Sequence, residues 1–155
     1  MDRRAFLGTA LAGAAFTMVA SRAAAAGSFE ITRSDEEWRA MPAPTDVHVD
    51  DRNIFQPDLF VLPEGGVRPH LDWEIPLPIW VIEVLSPRTA RYDEKKKLPA
   101  FAEAGAQEGW LIAPRAREIE VHDLRTGGVE TVGPGGVAES LSLPGFRLPL
   151  DEFFV

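Results

Sequence analysis

The pattern of apolar and polar residues changes character at Pro42. From there on, short apolar runs bounded by turn residues predict six β-strands, at residues 45–49, 59–62, 80–85, 110–113, 118–123 and 129–132. One helical segment, residues 93–104, falls between the third and fourth of these strands. A strand, a crossover helix and a further strand favour a parallel pair, so the pattern predicts an α/β fold built on a mixed sheet with a crossover helix.

Three residues define the predicted helix. Asp93 is placed to cap its N-terminus, and Gly105 is placed to end it. Pro99 lacks an N–H group, so the first turn is expected to be kinked or to begin after Asp93. The Pro/Gly-rich residues 63–78 are predicted to form a loop, and residues 143–155 are expected to cover one end of the sheet.

The apolar run at residues 79–85 is interrupted once, by Glu83. The run is otherwise apolar on both faces of the strand, which is typical of a central strand. An ionisable side chain in such a strand is costly to bury unless it is paired or bound to a metal ion. Glu83 is therefore the first candidate for a functional residue.

The composition limits the functions that the chain can have. With 155 residues, of which 45% are hydrophobic, the chain is long enough for one domain with a core. The absence of cysteine excludes disulfides, thiolate nucleophiles and cysteine-bound zinc. Without residues 1–26, which hold three arginines and one aspartate, 13 basic and 23 acidic residues remain, a net charge of −10. Binding to nucleic acid would then depend on a local basic patch, on metal ions or on a partner chain.

Residues 1–26 have the organisation of a signal segment. Arg3 and Arg4 precede an apolar stretch at residues 6–20, and four alanines at residues 23–26 suit signal cleavage. The segment resembles a twin-arginine export signal, and an amphipathic or buried helix is the alternative. The apolar stretch is shorter than the ~20 residues of a membrane-spanning helix, so no stable membrane anchor is expected. The protein is predicted to be exported or periplasmic if this leader is used, and cytoplasmic otherwise.

Residues 27–41 are predicted to form a short linker or helix. Ser34 and Glu37 have the spacing of a capping box, which predicts a helix from Asp35. Together with the leader, this stretch resembles the N-terminus of exported methionine-R-sulfoxide reductases, and a chance match of a short capped helix is the alternative. Reductase activity is excluded because that family needs a catalytic cysteine. Residues 1–41 are interpreted as the head of another gene's product or as a misplaced start, and residues 42–155 as the functional domain.

Four motifs of this domain follow one another in the order and spacing of the Uma2 family. They are Gln56-Pro57-Asp58-Leu59, the sequence VIEVLSP at residues 81–87, Asp93 with Lys97, Phe101 and Gly105, and Trp110-Leu111-Ile112. From about Pro42 to Phe154 the chain therefore resembles the Uma2 family of restriction-endonuclease-like proteins, which is classed with the PD-(D/E)XK nucleases.

The resemblance implies a restriction-endonuclease-like fold and a metal site. In this class of nucleases a divalent ion, Mg²⁺ or Mn²⁺, lies between acidic residues, and Asp58 and Glu83 occupy the corresponding positions. The family also carries an N-terminal helix and hairpin before residue 45. The leader stands in their place here, so the resemblance implies that these N-terminal family elements are lacking.

Elementary electrostatics leads to a similar site. Two carboxylates on adjacent strands repel each other unless a hard cation such as Mg²⁺ lies between them. Such an ion activates water for phosphodiester hydrolysis and stabilises the charge that grows on the phosphate. Two alternatives stay open: Glu83 could form a buried salt bridge with a basic residue of the helix, and Asp58 could serve as a turn or cap residue after Pro57.

The position of the catalytic lysine departs from the usual pattern. It commonly lies two residues after the second acid, where this chain has Leu85. A helix lysine is the candidate replacement: at ~100° per residue, Lys96 points outward while Lys95 and Lys97 flank the buried face. These angles do not choose between the two flanking lysines, and the resemblance favours Lys97.

The sequence thus predicts a metal-dependent endonuclease acting on DNA, impaired if the missing elements supply a ligand. Arg88, Arg91 and Lys95 are candidates for phosphate contact, with a solvated basic surface as the alternative. A homodimer is compatible with the sequence. The alternative functions are a catalytically inactive remnant or binding domain of the same fold, and an exported globular protein of unrelated function.

Overall fold

A computed structural model of the chain describes residues 17–20, 29–33, 36–42, 45–63 and 77–154. Predictions for other residues lie outside this description, namely those for most of the twin-arginine leader, for Ser34 and for the middle of the loop at residues 63–78. In the described part of the chain, no helix combines the length and the apolar character that a membrane span requires.

The described residues form twelve strands and two helices. The strands are β1 (Thr17–Ala20), β2 (Phe29–Arg33), β3 (Glu36–Pro42), β4 (Val47–Asp50), β5 (Asn53–Phe55), β6 (Leu59–Leu62), β7 (Trp80–Val84), β8 (Glu108–Ala113), β9 (Glu118–Asp123), β10 (Gly128–Val132), β11 (Val137–Glu139) and β12 (Arg147–Pro149). Helix α1 spans residues 90–104, and helix α2 spans Leu150–Phe153.

Eight of these strands form one sheet, in the order β1-β2-β3-β6-β7-β8-β9-β10, while β4 pairs with β5 and β11 pairs with β12. Neighbours in the large sheet are antiparallel, except that β7 and β8 are parallel. Helix α1 connects this parallel pair as a crossover. The predicted α/β fold with a mixed sheet is therefore confirmed.

Strand β7 lies inside the large sheet, between β6 and β8. All five of its residues are buried, as are five of the six residues of β8. A strand that is buried on both faces needs apolar residues at nearly every position, which is why this run could be recognised from the sequence. The predicted central position of the strand that carries Glu83 is confirmed.

Helix α1 departs from the prediction in its N-terminal half. It begins at Ala90, and Asp93–Lys97 form a π-helical turn before the regular turns of Leu98–Ala104. Asp93 therefore lies inside the helix, and its predicted role as the N-cap is wrong.

The π-helical turn lies directly before Pro99. The ring of a proline clashes with the carbonyl group four residues earlier, and its nitrogen has no hydrogen to donate. The chain accommodates this residue by widening the preceding turn, in which the Leu98 N–H bonds to the carbonyl oxygen of Asp93. The helix ends as predicted, because Gly105 adopts the left-handed conformation with φ of 109°.

Two predictions near the N-terminus need correction. The helix predicted from Asp35 is wrong, because Glu36–Pro42 form β3 and pair with β2 on one side and β6 on the other. Pairing along both edges outweighs a weak local helix signal. The strand predicted at residues 45–49 is observed as β4, but it pairs with β5 in a separate hairpin. Four residues of the predicted leader form β1 and pair with β2.

Apolar side chains cover both faces of the sheet. On one face, Phe101 of α1 belongs to a cluster with Val81 of β7. On the other face, the ring centroid of Phe146 lies 5.3 Å from that of Trp80 and 6.1 Å from that of Trp110. The C-terminal segment therefore covers a face of the sheet, and not one of its ends as the sequence had indicated.

Gly109 in β8 lies under helix α1, where no side chain can be added without movement. A Cβ atom built on Gly109 would lie 2.6 Å from Cδ2 of Leu98, which is buried. We expect Gly109→Ala to lower the free energy of unfolding by about 1–3 kcal/mol in urea denaturation, because overpacking strains a core. Gly133→Ala is the matched control, since no described atom lies within 4 Å of the added Cβ. Equal losses in the two variants would contradict close packing of α1 on β8.

Candidate active site

Glu83 points toward helix α1 from the middle of the sheet. Successive side chains of a strand alternate between its faces. Ile82 and Val84 belong to the apolar cluster under the C-terminal segment, whereas Val81 belongs to the cluster under α1. Alternation therefore places Glu83 on the helix side, where it is only 1% exposed.

Asp58 lies directly before β6 and beside the end of β7. These two strands pair Leu59 with Ile82, so their register continues to Asp58 opposite Glu83. Residues opposite each other in an antiparallel pair point to the same face. Oδ2 of Asp58 also accepts a hydrogen bond of 2.8 Å from the N–H of Val84. The two predicted acids are therefore neighbours, and Asp58 also has the cap-like role that the sequence left as an alternative.

Lys97 reaches Glu83 from helix α1. Its Nζ donates a hydrogen bond of 2.9 Å to Oε1 of Glu83 and lies 3.0 Å from Oδ1 of Asp93. Of the two lysines that helical angles left open, Lys97 is the one in the site, because Lys95 is 69% exposed and pairs with Glu94. The salt bridge that was the alternative role for Glu83 is thus present as well.

Burial raises the pKa of the Glu83 carboxyl group to about 8. The Lys97 ammonium and its hydrogen bond act in the opposite direction but are outweighed, and the carboxylates of Asp58 and Asp93 raise this pKa further. Burial also acts to lower the pKa of Lys97, but the Glu83 and Asp93 carboxylates raise it above its ordinary value. With this pKa the Glu83 carboxyl group keeps its proton at neutral pH when no further cation is present, and a bound cation would take the place of that proton.

The three residues predicted to contact phosphate surround the start of α1. Arg88 lies in the turn after β7, Arg91 in the first turn of the helix and Lys95 in the π-helical turn, and all three are exposed. Since β7 ends four residues before Arg88, these cations follow the end of the strand that carries Glu83. The structure thus places three exposed basic residues on the segment that follows the strand of Glu83.

Two acidic residues have contacts that the sequence did not reveal. Asp93 had been assigned as a cap, yet it is buried and contacts Lys97. The spacing of four residues between them is the signal that could have shown this contact. Glu108 was not singled out, although it precedes Trp110 by two residues and so shares its face of β8.

Glu108 is buried on the face of the sheet that lies opposite α1. Its carboxylate accepts four hydrogen bonds, from Nε1 of Trp110 at 2.6 Å, from Oγ of Ser140 at 2.8 Å, and from the N–H groups of Leu141 at 3.0 Å and Ser142 at 2.8 Å. These bonds attach residues 140–142, directly before the C-terminal segment (residues 143–155), to the sheet. Glu108 is therefore a structural residue and not part of the candidate site.

The chemistry of the site fits a hard divalent cation. Among the described residues, no group of three or more His, Cys, Asp or Glu side chains could hold a metal ion. Two carboxylates are sufficient for Mg²⁺, which prefers oxygen ligands and usually keeps several of its waters. Asp58 and Glu83 would be the residues that hold Mg²⁺ or Mn²⁺ here.

The structure thus combines a mixed sheet and crossover helix with two adjacent acids and a helix lysine, as the resemblance to nuclease-like α/β proteins implied. The model of the Uma2 family, which is described as "Putative restriction endonuclease", matches residues 22–151. The chain belongs to the Uma2 family. The match begins before Pro42, so it also includes β2 and β3.

A solved structure agrees with this fold. The chain is similar to "a putative nuclease belonging to DUF820" from Anabaena variabilis ATCC 29413, with a TM-score of 0.64 and 22% sequence identity. The similarity covers 76% of this chain and 68% of that one. No curated protein matches the chain.

Proposed function

We propose that this chain is a metal-dependent endonuclease that hydrolyses phosphodiester bonds in DNA, with Asp58 and Glu83 as the ligands of Mg²⁺ or Mn²⁺. Lys97 is the third catalytic residue. The observation that carries the proposal is the distance of 2.9 Å between Nζ of Lys97 and Oε1 of Glu83, at a point where Asp58 directly precedes the neighbouring strand β6. Membership of the Uma2 family supports the same class of reaction.

Asp58 and Glu83 would bind the metal ion, and Lys97 would stabilise negative charge on the phosphate. When bound, the metal ion supplies an activated water and a positive charge beside the scissile phosphate. The Lys97 ammonium is a point charge with three donors, and this suits it to bind a phosphate oxygen and the charge that develops there. Asp58 and Glu83 would hold the metal ion, which would displace the proton that the raised pKa of Glu83 otherwise retains.

DNA would approach through the basic surface next to the site. The whole chain has a net charge of −8, which repels DNA at long range. Arg88, Arg91 and Lys95 are exposed cations on one short stretch of chain and offer a local attraction. Cleavage should therefore weaken steeply as the salt concentration rises.

Cleavage of plasmid DNA by the purified chain tests the proposal. We expect supercoiled plasmid to be nicked in the presence of Mg²⁺ or Mn²⁺, and nicking to stop when EDTA removes the ion, because the two carboxylates are then left without the cation. Mg²⁺ binding is measured in parallel by isothermal titration calorimetry. Cleavage that continues at the same rate in EDTA would contradict metal dependence.

An inactive domain of the same fold is the second candidate. It is favoured by the ion pair between Lys97 and Glu83, which by itself provides Glu83 with a buried partner. Under this hypothesis the chain folds with the same contacts but does not cleave DNA at any Mg²⁺ concentration. Binding of Mg²⁺ without cleavage would support it.

A further inference from the structure

Asp93 is a buried carboxylate next to the candidate site. It is 1% exposed, and its Oδ1 lies 3.0 Å from Nζ of Lys97, one helical turn further along α1. A buried carboxylate is costly unless it is paired. The position of Asp93 therefore depends on its pairing with a cation, and Lys97 provides the contact.

Lys97 is held by carboxylates that belong to two different elements. Glu83 extends from the sheet and Asp93 from the helix itself, and the Lys97 side chain is only 14% exposed. A lysine side chain has many rotamers to lose when it is fixed, so one contact alone leaves its position loosely defined. The second contact, from its own helix, limits the ammonium to one place above β7.

The backbone of α1 contributes to the same arrangement. Asp93 and Lys97 are the first and last residues of the π-helical turn, which lies directly before Pro99. Such turns are frequent at functional sites. Here both ends of the widened turn carry a side chain to the site.

We propose that Asp93 is a positioning residue that holds the Lys97 ammonium beside Glu83 for DNA cleavage. This inference rests on the proposed nuclease function and adds a residue to it. Asp93 does not itself act on the phosphate. Its effect passes through Lys97, so the two side chains should behave as a unit in mutant studies.

A double-mutant cycle tests this coupling. The proteins are the wild type, Asp93→Asn, Lys97→Met and the double variant, and cleavage is measured under single-turnover conditions with Mg²⁺. We expect Asp93→Asn to slow the cleavage step at least about tenfold, as a misplaced catalytic group does, while the DNA concentration at half-maximal rate stays nearly constant. In the Lys97→Met background, Asp93→Asn should have no further effect on cleavage.

The same cycle in EDTA gives a readout that needs neither metal nor activity. The two side chains should be coupled by at least about fivefold in the unfolding equilibrium constant, since replacing either one removes the contact between them. Asp93→Glu should restore part of the cleavage rate, because it retains the carboxylate. Glu103→Gln is the control, as an exposed acid of the same helix, and should cleave like the wild type.

The outcomes separate this inference from the proposed function. If the wild type and Asp93→Asn cleave DNA equally fast, the positioning role of Asp93 is wrong, while the proposed nuclease function stands. Additive effects of the two substitutions on unfolding in EDTA would also overturn this role. A wild type that neither binds Mg²⁺ nor cleaves DNA would overturn the proposed function, and the positioning role with it.

Discussion

Glu83→Gln is expected to abolish DNA cleavage, with a loss of at least about 100-fold in rate, as is found when a charge-stabilising group is removed from an active site. The amide has nearly the same shape as the carboxyl group, so Lys97 and Asp58 keep their surroundings while the anionic metal ligand is lost. Nicking of supercoiled plasmid with saturating Mg²⁺ measures the effect. Glu130→Gln, at an exposed position of the edge strand β10, is the control and should retain the wild-type rate. Equal background cleavage in wild type and Glu83→Gln would rule out Glu83 as a catalytic residue.

The same variant should also change how stability depends on pH in the absence of metal. Burial raises the pKa of Glu83 from its ordinary value of 4.5 to about 8 in the folded chain. Between these values the unfolded chain releases a proton that the folded chain keeps, so stability present below pH 4.5 is lost as the pH rises to 8. The loss amounts to at most about 1.4 kcal/mol per pH unit. Glu83→Gln should remove it, and identical pH profiles of the unfolding free energy would contradict the raised pKa.

Glu108→Ala is expected to lower the free energy of unfolding by about 3 kcal/mol or more. The Glu108 carboxylate accepts four hydrogen bonds, and its removal leaves their donors without this acceptor. A buried donor that loses its acceptor costs about 1–3 kcal/mol. The loss should be largest for residues 140–142, which these bonds attach to the sheet. Urea denaturation measures the total, and amide hydrogen exchange at Leu141 and Ser142 measures the local effect.

A matched variant separates burial from the loss of a charge. Glu139 is an exposed acid that forms an ion pair with Arg147, with both side chains 62% exposed. Exposed ion pairs contribute about 0–1 kcal/mol, so Glu139→Gln should have little effect on unfolding. Comparable losses in Glu108→Ala and Glu139→Gln would contradict the structural role of the buried carboxylate.

The apolar pattern predicted most of the central strands correctly. Residues 59–62 and 118–123 form β6 and β9 as predicted, because alternation and continuous burial leave a local trace in the sequence. The helix from Asp35 was wrong for the opposite reason. Its capping signal is local and weak, whereas the pairing of β3 with β2 and β6 is a tertiary interaction that no local pattern records.

The N-terminal half of α1 shows the same limit. Pro99 predicted either a kinked first turn or a late start. The helix instead starts earlier, at Ala90, and accommodates Pro99 through an irregular, π-helical turn. That solution keeps Leu98 and Phe101 in the core, where both are buried. Packing of these two side chains against the sheet therefore decided the path of the backbone.

The candidate site also shows which features the sequence predicts and which depend on the tertiary structure. By itself, the sequence determined that Glu83 is a buried acid of a central strand, because one charge in a doubly apolar run is a local fact. Only the tertiary structure decided that Asp58 lies opposite Glu83, that Lys97 and not Lys95 reaches it, and that Asp93 holds the same ammonium. The register between strands and the rotation of a helix over a sheet depend on contacts between residues that are distant in the sequence. The periodicity of apolar residues along the chain gives no information about these contacts.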